Sequence, residues 1–113
     1  MHELAITQSM LDLVLQQAEG AEAKKVGKIN LVIGEMTGVV EECVQFYFGF
    51  LSQGTIAEGA ALSFQPVATQ ARCRLCDKLF ELKEFDWACP HCGGKEMEIV
   101  AGKELFVESI EVE

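Results

Sequence analysis

Four of the five cysteines stand in two close pairs, and this pattern constrains the fold of the chain more than any other feature. Two residues separate Cys73 from Cys76, twelve residues follow, and Cys89 and Cys92 repeat the first spacing. Each pair can bring two sulfurs to one ion through a tight turn, and two such turns complete a tetrahedral shell at about 2.3 Å per bond. The pattern predicts a structural Zn²⁺ site, with iron in a rubredoxin-like shell as the main alternative.

The predicted shell is closed. All four protein positions are filled by sulfur, so no position remains for a substrate water, which argues against hydrolysis at this centre. The metal is expected to fold a segment that is too short to have its own core. Cys43 is interpreted as a small buried residue of a helix. His91 lies between two ligands and is interpreted as solvent-facing, with replacement of a sulfur as the alternative.

Length and composition indicate one domain, or one domain with a small appendage. The chain has 113 residues, and half of them are hydrophobic, which is enough for a core. No apolar stretch approaches the roughly 18–20 residues that span a bilayer. Glu3 stands where a secretory signal would carry positive charge. We therefore expect a cytoplasmic protein with no membrane segment, in which paired cysteines are metal ligands or redox thiols before they are disulfides.

The charge balance restricts the partners. Nine basic and eighteen acidic residues give a formal net charge of −9, and four thiolates with one Zn²⁺ would make it more negative by two. Such a surface repels phosphate backbones and anionic membranes and suits cations or partners with basic patches. A zinc-ribbon module for nucleic acid or protein interaction stays an alternative, although residues 72–96 are nearly charge-balanced and offer no basic face. A redox protein with an iron centre is the third class.

Hydrophobic periodicity predicts alternating helices and strands in the rest of the chain. Residues 3–19 and 41–53 have helical periodicity, and Glu41 and Glu42 favour the start of the second helix. Strands are predicted at 26–34, in the extended segment 61–73, whose Pro66 suggests a sheet edge or a bulge, and in the last eleven residues. The predicted apolar faces comprise Leu4, Leu11, Val14, Leu15 and Ala18 in the first helix, and Val40, Val44, Tyr47 and Leu51 in the second, with Cys43 and Phe50 beside them.

This order predicts a small α/β (α+β) protein. Two helices cover one face of a three-stranded mixed sheet, and a zinc-ribbon-like module with four cysteines is inserted between the last two strands. The expected domains are 1–70 together with 99–113, which form the α/β domain, and 71–98, which form the inserted module.

The first three residues, Met1, His2 and Glu3, form a second candidate metal site. The terminal amine, the amide nitrogen of His2 and its imidazole Nδ1 can converge on one ion, with a fourth donor from the Glu3 amide or carboxylate. Nitrogen donors in a square plane favour Ni(II) or Cu(II), whereas tetrahedral Zn²⁺ fits poorly. From the chemistry alone, the plainer interpretation that His2 only precedes the first helix stays open and is favoured.

Several motifs together resemble one known family. The "MHE" start on an amphipathic helix, the "IGEMTGV" strand and turn, the "GTIAEGA" connection and the two cysteine pairs are similar, in this order, to the HypA family of hydrogenase nickel-incorporation proteins. The similarity runs along essentially the whole chain. It implies a nickel metallochaperone without catalytic activity that serves the maturation of [NiFe]-hydrogenase, with urease as a second client in some relatives.

The resemblance also implies site residues. The nickel ligands of the family carry over to Met1, through its amine, and to His2 and Glu3. The structural zinc ligands carry over to Cys73, Cys76, Cys89 and Cys92. Some members have a histidine just outside the second cysteine pair, where this chain has Gly93, so the resemblance does not extend to a histidine switch of the zinc shell.

Partners follow from the same resemblance. Family members act with a GTPase, HypB, and deliver nickel to the precursor of the hydrogenase large subunit. We expect transient Ni²⁺ as cargo, a resident structural Zn²⁺, and neither nucleic acid nor membrane as a partner. A monomer or a weak homodimer is expected.

Overall fold

The computed structural model describes residues 3–82 and 87–113. Two α-helices and two three-stranded sheets form this part of the chain. The first five elements are α1 (Glu3–Gly20), β1 (Val26–Gly34), a short 3₁₀ turn (Glu35–Thr37), α2 (Glu41–Leu51) and β2 (Ala61–Val67). The remaining strands are β3 (Gln70–Cys73), β4 (Leu79–Glu81), β5 (Met97–Ala101) and β6 (Leu105–Val112).

The first sheet is mixed, as predicted. Its strand order is β2-β1-β6, with β1 parallel to β2 and antiparallel to β6. Pro66 lies in β2, which is an edge strand, the position in a sheet that best tolerates a residue without an N–H. The central strand β1 is buried more completely than its alternation suggests, because Val32 is buried together with Leu31 and Ile33.

The helices form the main hydrophobic core with this sheet. The buried stripe of α1 runs through Thr7, Leu11, Val14 and Ala18, whereas Leu4 is half exposed, contrary to expectation. The stripe continues to Glu3 instead, whose carboxylate accepts a hydrogen bond from Val40 N–H at the start of α2. The core residues are Met10, Leu11, Val14, Ala18, Val26, Ile29, Leu31, Val44, Phe48, Ala57 and Ala60.

Helix α2 is shorter than predicted and is rotated relative to its predicted face. It ends at Leu51 and buries Val44 and Phe48, whereas Phe50 is 68% exposed and therefore lies on the outer side. Acidic residues occupy its first turn, as expected from the sequence. No helix in the described part of the chain is long and apolar enough to cross a membrane.

A second, fully antiparallel sheet carries the cysteine region. Its order is β4-β3-β5, and a small core forms beneath it. The predicted extended segment 61–73 is divided at Thr69 into β2 and β3, which belong to different sheets. The predicted division into 1–70 with 99–113 and 71–98 stays a prediction. The buried residues of the small core are Ala71, Cys73, Phe80, Leu82 and Cys89.

The two sheets meet at a joint formed by Gly34, Glu35, Thr69 and Gly102. A Cβ on Gly34 would overlap the carbonyl of Gly102, and Gly102 itself has φ +113°, which an L side chain rarely adopts. Glu35 Oε2 accepts a hydrogen bond from Thr69 N–H at 3.1 Å. Met36 N–H donates to Gly102 O at 2.8 Å. The joint thus ties the end of β1 to both chain crossings into the cysteine region.

Candidate metal centre

The structure gathers the four paired cysteines around one point. Their Sγ atoms all lie within 4.8 Å of one another. The Cys73–Cys92 sulfurs are 3.5 Å apart and the Cys76–Cys89 sulfurs are 3.6 Å apart. A tetrahedral shell with bonds of about 2.3 Å requires sulfur–sulfur distances of about 3.8 Å. The cluster therefore fits an ion with four thiolate ligands.

The first cysteine pair lies on a turn whose backbone is bonded to itself. Leu75 N–H donates to Cys73 Sγ at 3.4 Å, and Asp77 N–H donates to Cys73 O at 2.8 Å. Cys73 N–H in turn donates to Lys78 O at 3.0 Å. Asp77 has φ +60°, a left-handed conformation that Asp tolerates better than most residues. These bonds aim the Cys73 sulfur into the turn.

The second pair repeats this geometry at the same spacings. His91 N–H donates to Cys89 Sγ at 3.4 Å, and Gly93 N–H donates to Cys89 O at 2.7 Å. Cys89 N–H donates to Gly94 O at 2.8 Å, and Gly93 has φ +74°. The two turns are therefore equivalent, with glycine in the second where the first has Asp77. The cysteine spacing predicted both turns. For the left-handed position of the first turn, Asp77 was the one signal in the sequence.

Backbone donors and burial divide the thiols into two kinds. The Cys76 N–H, with the Leu75 N–H, lowers the pKa of Cys73 to about 7. Burial works against ionisation of Cys89, but the N–H groups of Cys92 and His91 lower its pKa overall. The first thiol of each cysteine pair thus has a lowered pKa.

The second thiol of each pair holds its proton more strongly. Although the Gly94 N–H favours its thiolate, the Cys73 side chain and burial raise the pKa of Cys92 to about 12. The Lys78 N–H likewise favours the thiolate of Cys76, but burial and the neighbouring Cys89 thiol raise its pKa. Cys92 is exposed and Cys73 is buried, so the cluster is open to solvent on the Cys92 side.

The other candidate site begins outside the described residues. Met1 and His2 lie there, so of the three predicted nickel ligands the structure describes Glu3 alone. Glu3 is half-buried, and its Oε2 accepts a hydrogen bond from Val40 N–H at 3.1 Å. Thr7 Oγ1 donates to Glu3 O at 2.6 Å. The residue that follows His2 therefore connects the start of α1 to the start of α2, a contact that sequence reasoning missed.

Two further residues lie outside both sets of ligands. Cys43 is half-buried on α2, less buried than expected, and does not belong to the cluster. His91 is exposed, as predicted. All five cysteines, which lie in the described part of the chain, have free thiols.

Fold and cluster together define a class: a small α+β protein with a four-cysteine metal centre on a sheet of its own. Two solved structures share this fold. The Ni metallochaperone HypA from Helicobacter pylori is 23% identical, with a TM-score of 0.68 over 99% of this chain and 97% of that one. A second solution structure, of a HypA protein, is also 23% identical, with a TM-score of 0.75 over 99% and 96% of the two chains.

Sequence similarity identifies the family within this class. A family model described as "Hydrogenase/urease nickel incorporation, metallochaperone, hypA" matches residues 1–112. A hydrogenase maturation factor HypA from Caldanaerobacter subterraneus subsp. tengcongensis is 47% identical over the full length of both chains. One from Dehalococcoides mccartyi is 48% identical over 100% of this chain and 95% of the relative. The chain belongs to the HypA family of nickel metallochaperones and is not an enzyme, which confirms the resemblance seen in the motifs.

Proposed function

We propose that this protein binds Ni(II) at its N-terminus and delivers it for the maturation of [NiFe]-hydrogenase, while the four cysteines hold a structural Zn²⁺. The observation that carries this proposal is the match of a nickel-incorporation family over residues 1–112. The clustered sulfurs add support, because they fit a resident ion and leave the N-terminal nitrogens for a second one. When bound, Zn²⁺ supplies a fixed cross-link between the two cysteine turns.

Nickel is the cargo, and its proposed ligands differ in kind from the sulfur shell. They are the Met1 amine, the His2 amide and imidazole, and Glu3. A site with few ligands at a chain end can release an ion more readily than a closed cage. Because such nitrogen donors bind Cu(II) more tightly than Ni(II), nickel selection must come from metal availability and from partner docking.

The contact of Glu3 bears on the fourth donor. Its carboxylate accepts the Val40 N–H and lies against the start of α2. Coordination through Oε2 would compete with this contact, whereas coordination through the Glu3 amide nitrogen leaves the carboxylate in place. We therefore favour the amide as the fourth donor in the nickel plane.

Partners and compartment belong to the same proposal. Five free thiols suit the reducing cytoplasm. A HypB-like GTPase would act with the chain, and the precursor of the hydrogenase large subunit would receive the ion. Urease is a second proposed client, in keeping with the wording of the family description.

The test is calorimetric titration of Ni²⁺ into untagged, zinc-loaded protein. We expect up to one nickel per chain, and at least about a hundredfold weaker binding in His2→Ala and in a variant with six glycines added before Met1, since the first removes the imidazole and the second moves the free amine too far along the chain to share a chelate with His2. His91→Ala is the matched control, because it removes the other histidine of the chain, which is exposed. Glu3→Gln should retain nickel if the amide is the donor. Full affinity in the extended variant would refute the terminal-amine site.

A further inference from the structure

An apolar groove of about 360 Å³ opens between α1 and β6. Apart from Thr7 and Ser9, the side chains that line it are apolar. We name it the α1–β6 groove. Its floor is formed by Leu31 and Ile33 of β1, one wall by Ile6 and Leu13 of α1, and the other wall by Leu105 and Val107 of β6.

The walls of the α1–β6 groove present apolar side chains to solvent. Leu13 and Leu105 are each 42% exposed, and Phe106, which also lines the groove, is 50% exposed. Exposed apolar side chains that converge on a concave surface mark interaction sites more often than scattered ones do. The groove therefore has the shape and the lining of a docking surface.

One wall of the groove is also an unpaired sheet edge. In the order β2-β1-β6, strand β6 is an outer strand and pairs with β1 on one side. Among the described residues, no strand pairs with the other side of its eight residues. Such an edge offers a row of backbone donors and acceptors to an extended peptide, whose alternate side chains then enter neighbouring pockets.

Charge around the groove selects the kind of peptide. Helices α1 and α2 and strand β6 contain no Lys or Arg. Within two positions of a lining residue, the sequence has Lys103 as the one cation, against seven carboxylates. These carboxylates belong to Glu3, Asp12, Glu35, Glu41, Glu42, Glu104 and Glu108.

We name these seven carboxylates the acidic rim of the groove. Backbone N–H groups hold part of this rim in place. Three of the carboxylates accept backbone N–H groups: Glu3 from Val40 at 3.1 Å, Glu35 from Thr69 at 3.1 Å, and Glu104 from Gly102 at 2.7 Å. Charges that are already positioned favour a complementary cation without further ordering. A second copy of this chain would instead bring carboxylates against carboxylates, which disfavours self-association through the groove.

We propose that the α1–β6 groove binds an extended segment of a partner protein that contains apolar side chains together with Lys or Arg. The segment pairs with the free edge of β6, places its apolar side chains against Leu13 and Leu105, and directs its cations toward the carboxylates of the rim. This docking surface goes beyond the proposed nickel function and does not require nickel. Because Ala5 and Ile6 also line the groove, the partner lies close to the N-terminal end of α1.

The test is a selection of binding peptides from a random decapeptide library displayed on phage. The target is zinc-loaded protein without nickel. Counter-selection uses the double variant Leu13→Ser/Leu105→Ser, whose substituted side chains are partly exposed. We expect enriched peptides that combine apolar with basic residues. In fluorescence anisotropy, each single variant should weaken binding of an enriched peptide at least about tenfold. The matched control is Phe46→Ser, which is 72% exposed on α2 but does not line the groove, and should bind normally.

A second pair of substitutions preserves the apolar lining. Asp12→Asn with Glu108→Gln should weaken binding at low salt and reduce its salt dependence, because rim charges act at long range. Failure to enrich any peptide over the double variant would overturn the proposal, as would enrichment without basic residues or equal weakening by Phe46→Ser. A dimer in sedimentation analysis that Leu13→Ser dissociates would assign the groove to a second copy and also overturn it. His2→Ala should bind the peptide normally, so failure of the nickel site and of this surface are distinguishable.

Discussion

Backbone N–H groups favour particular charges on the four thiols of the folded cysteine cluster. The donors around Cys73 lower its pKa to about 7 from an ordinary value of 9.0, whereas the Cys73 side chain and burial outweigh the Gly94 N–H and raise the pKa of Cys92 to about 12. A lowered thiol pKa stabilises the folded state when the thiol is ionised. That contribution is complete above 9.0 and is lost as the pH falls through about 7.

The same comparison predicts how many protons zinc releases. Because the metal-free cysteine region is expected to be unfolded, its four thiols have the ordinary pKa of 9.0, so binding of Zn²⁺ should release close to four protons at both pH 6 and pH 8. Calorimetry of metal-free protein with Zn²⁺, in buffers of different ionisation enthalpy, measures this number. Cys43→Ser should give the same values, since Cys43 lies outside the cluster. Three protons or fewer at pH 8 would show that Cys73 keeps its lowered pKa without metal, which would contradict unfolding of the metal-free region.

Nickel binding should depend on pH in a different range. The proposed ligands include the terminal amine and the imidazole of His2, which must both lose protons before they bind Ni²⁺, so affinity should fall steeply below about pH 6.5. Titrations of Ni²⁺ at pH 7.5 and pH 6.0 check this expectation. The zinc content of the same samples is the control and should persist longer than nickel. Equal nickel affinity at both pH values would refute the ligand assignment.

At the residue scale, the sequence predicted the contacts that follow from the spacing of residues within one turn. Two C-x2-C pairs predicted the cluster because each turn is local and contains its own hydrogen bonds. The role of the Glu3 side chain could not be predicted, because its partner Val40 is 37 positions away and donates through its backbone. Backbone donors are present in every residue, so no sequence pattern marks this contact.

The bounds of two elements that bury one face against the core, α1 and β1, were predicted well. The periodic segments 3–19 and 26–34 correspond to α1 and β1 within a residue. The break of segment 61–73 at Thr69 was not predicted, because distant groups impose it. The Thr69 N–H donates to Glu35 Oε2, and its carbonyl accepts from Leu82 N–H at 2.8 Å. A run of extended residues carries no signal for such partners.

Because the joint between the sheets is closely packed, one added methyl group there should destabilise the folded protein. Gly34→Ala would place a Cβ into the Gly102 carbonyl, and backbone on both sides leaves little room to move. We expect a loss of about 3 kcal/mol in the free energy of unfolding, measured by urea denaturation. Gly27→Ala is the matched control in the same strand, because its nearest atom, Glu111 O, is 3.7 Å from the new Cβ. It should change stability by less than about 1 kcal/mol, and equal losses would contradict the close packing.

The part of the chain that the structure describes is elongated and has two separate hydrophobic cores. Its extents are 54 × 24 × 17 Å. The core beneath the helices and the core beneath the second sheet share no residue. Cys73 and Cys89 are themselves buried members of the smaller core, which links its stability to the metal. The chain passes through the joint twice to connect the two parts, once just before residue 70 and once just after residue 101.

Removal of the metal should therefore unfold one part and spare the other. A core of so few residues is too small to remain folded once its thiolates lose their common ion, whereas the helical core contains no ligand. After chelation, hydrogen exchange should become fast across 70–101 and stay slow in α1 and β1, with helical circular dichroism retained. Cys73→Ser should reproduce the pattern without chelator, and Cys43→Ser should not. If α1 lost protection together with β3, the two cores would be one cooperative unit, and the predicted division of the chain into two parts would be wrong.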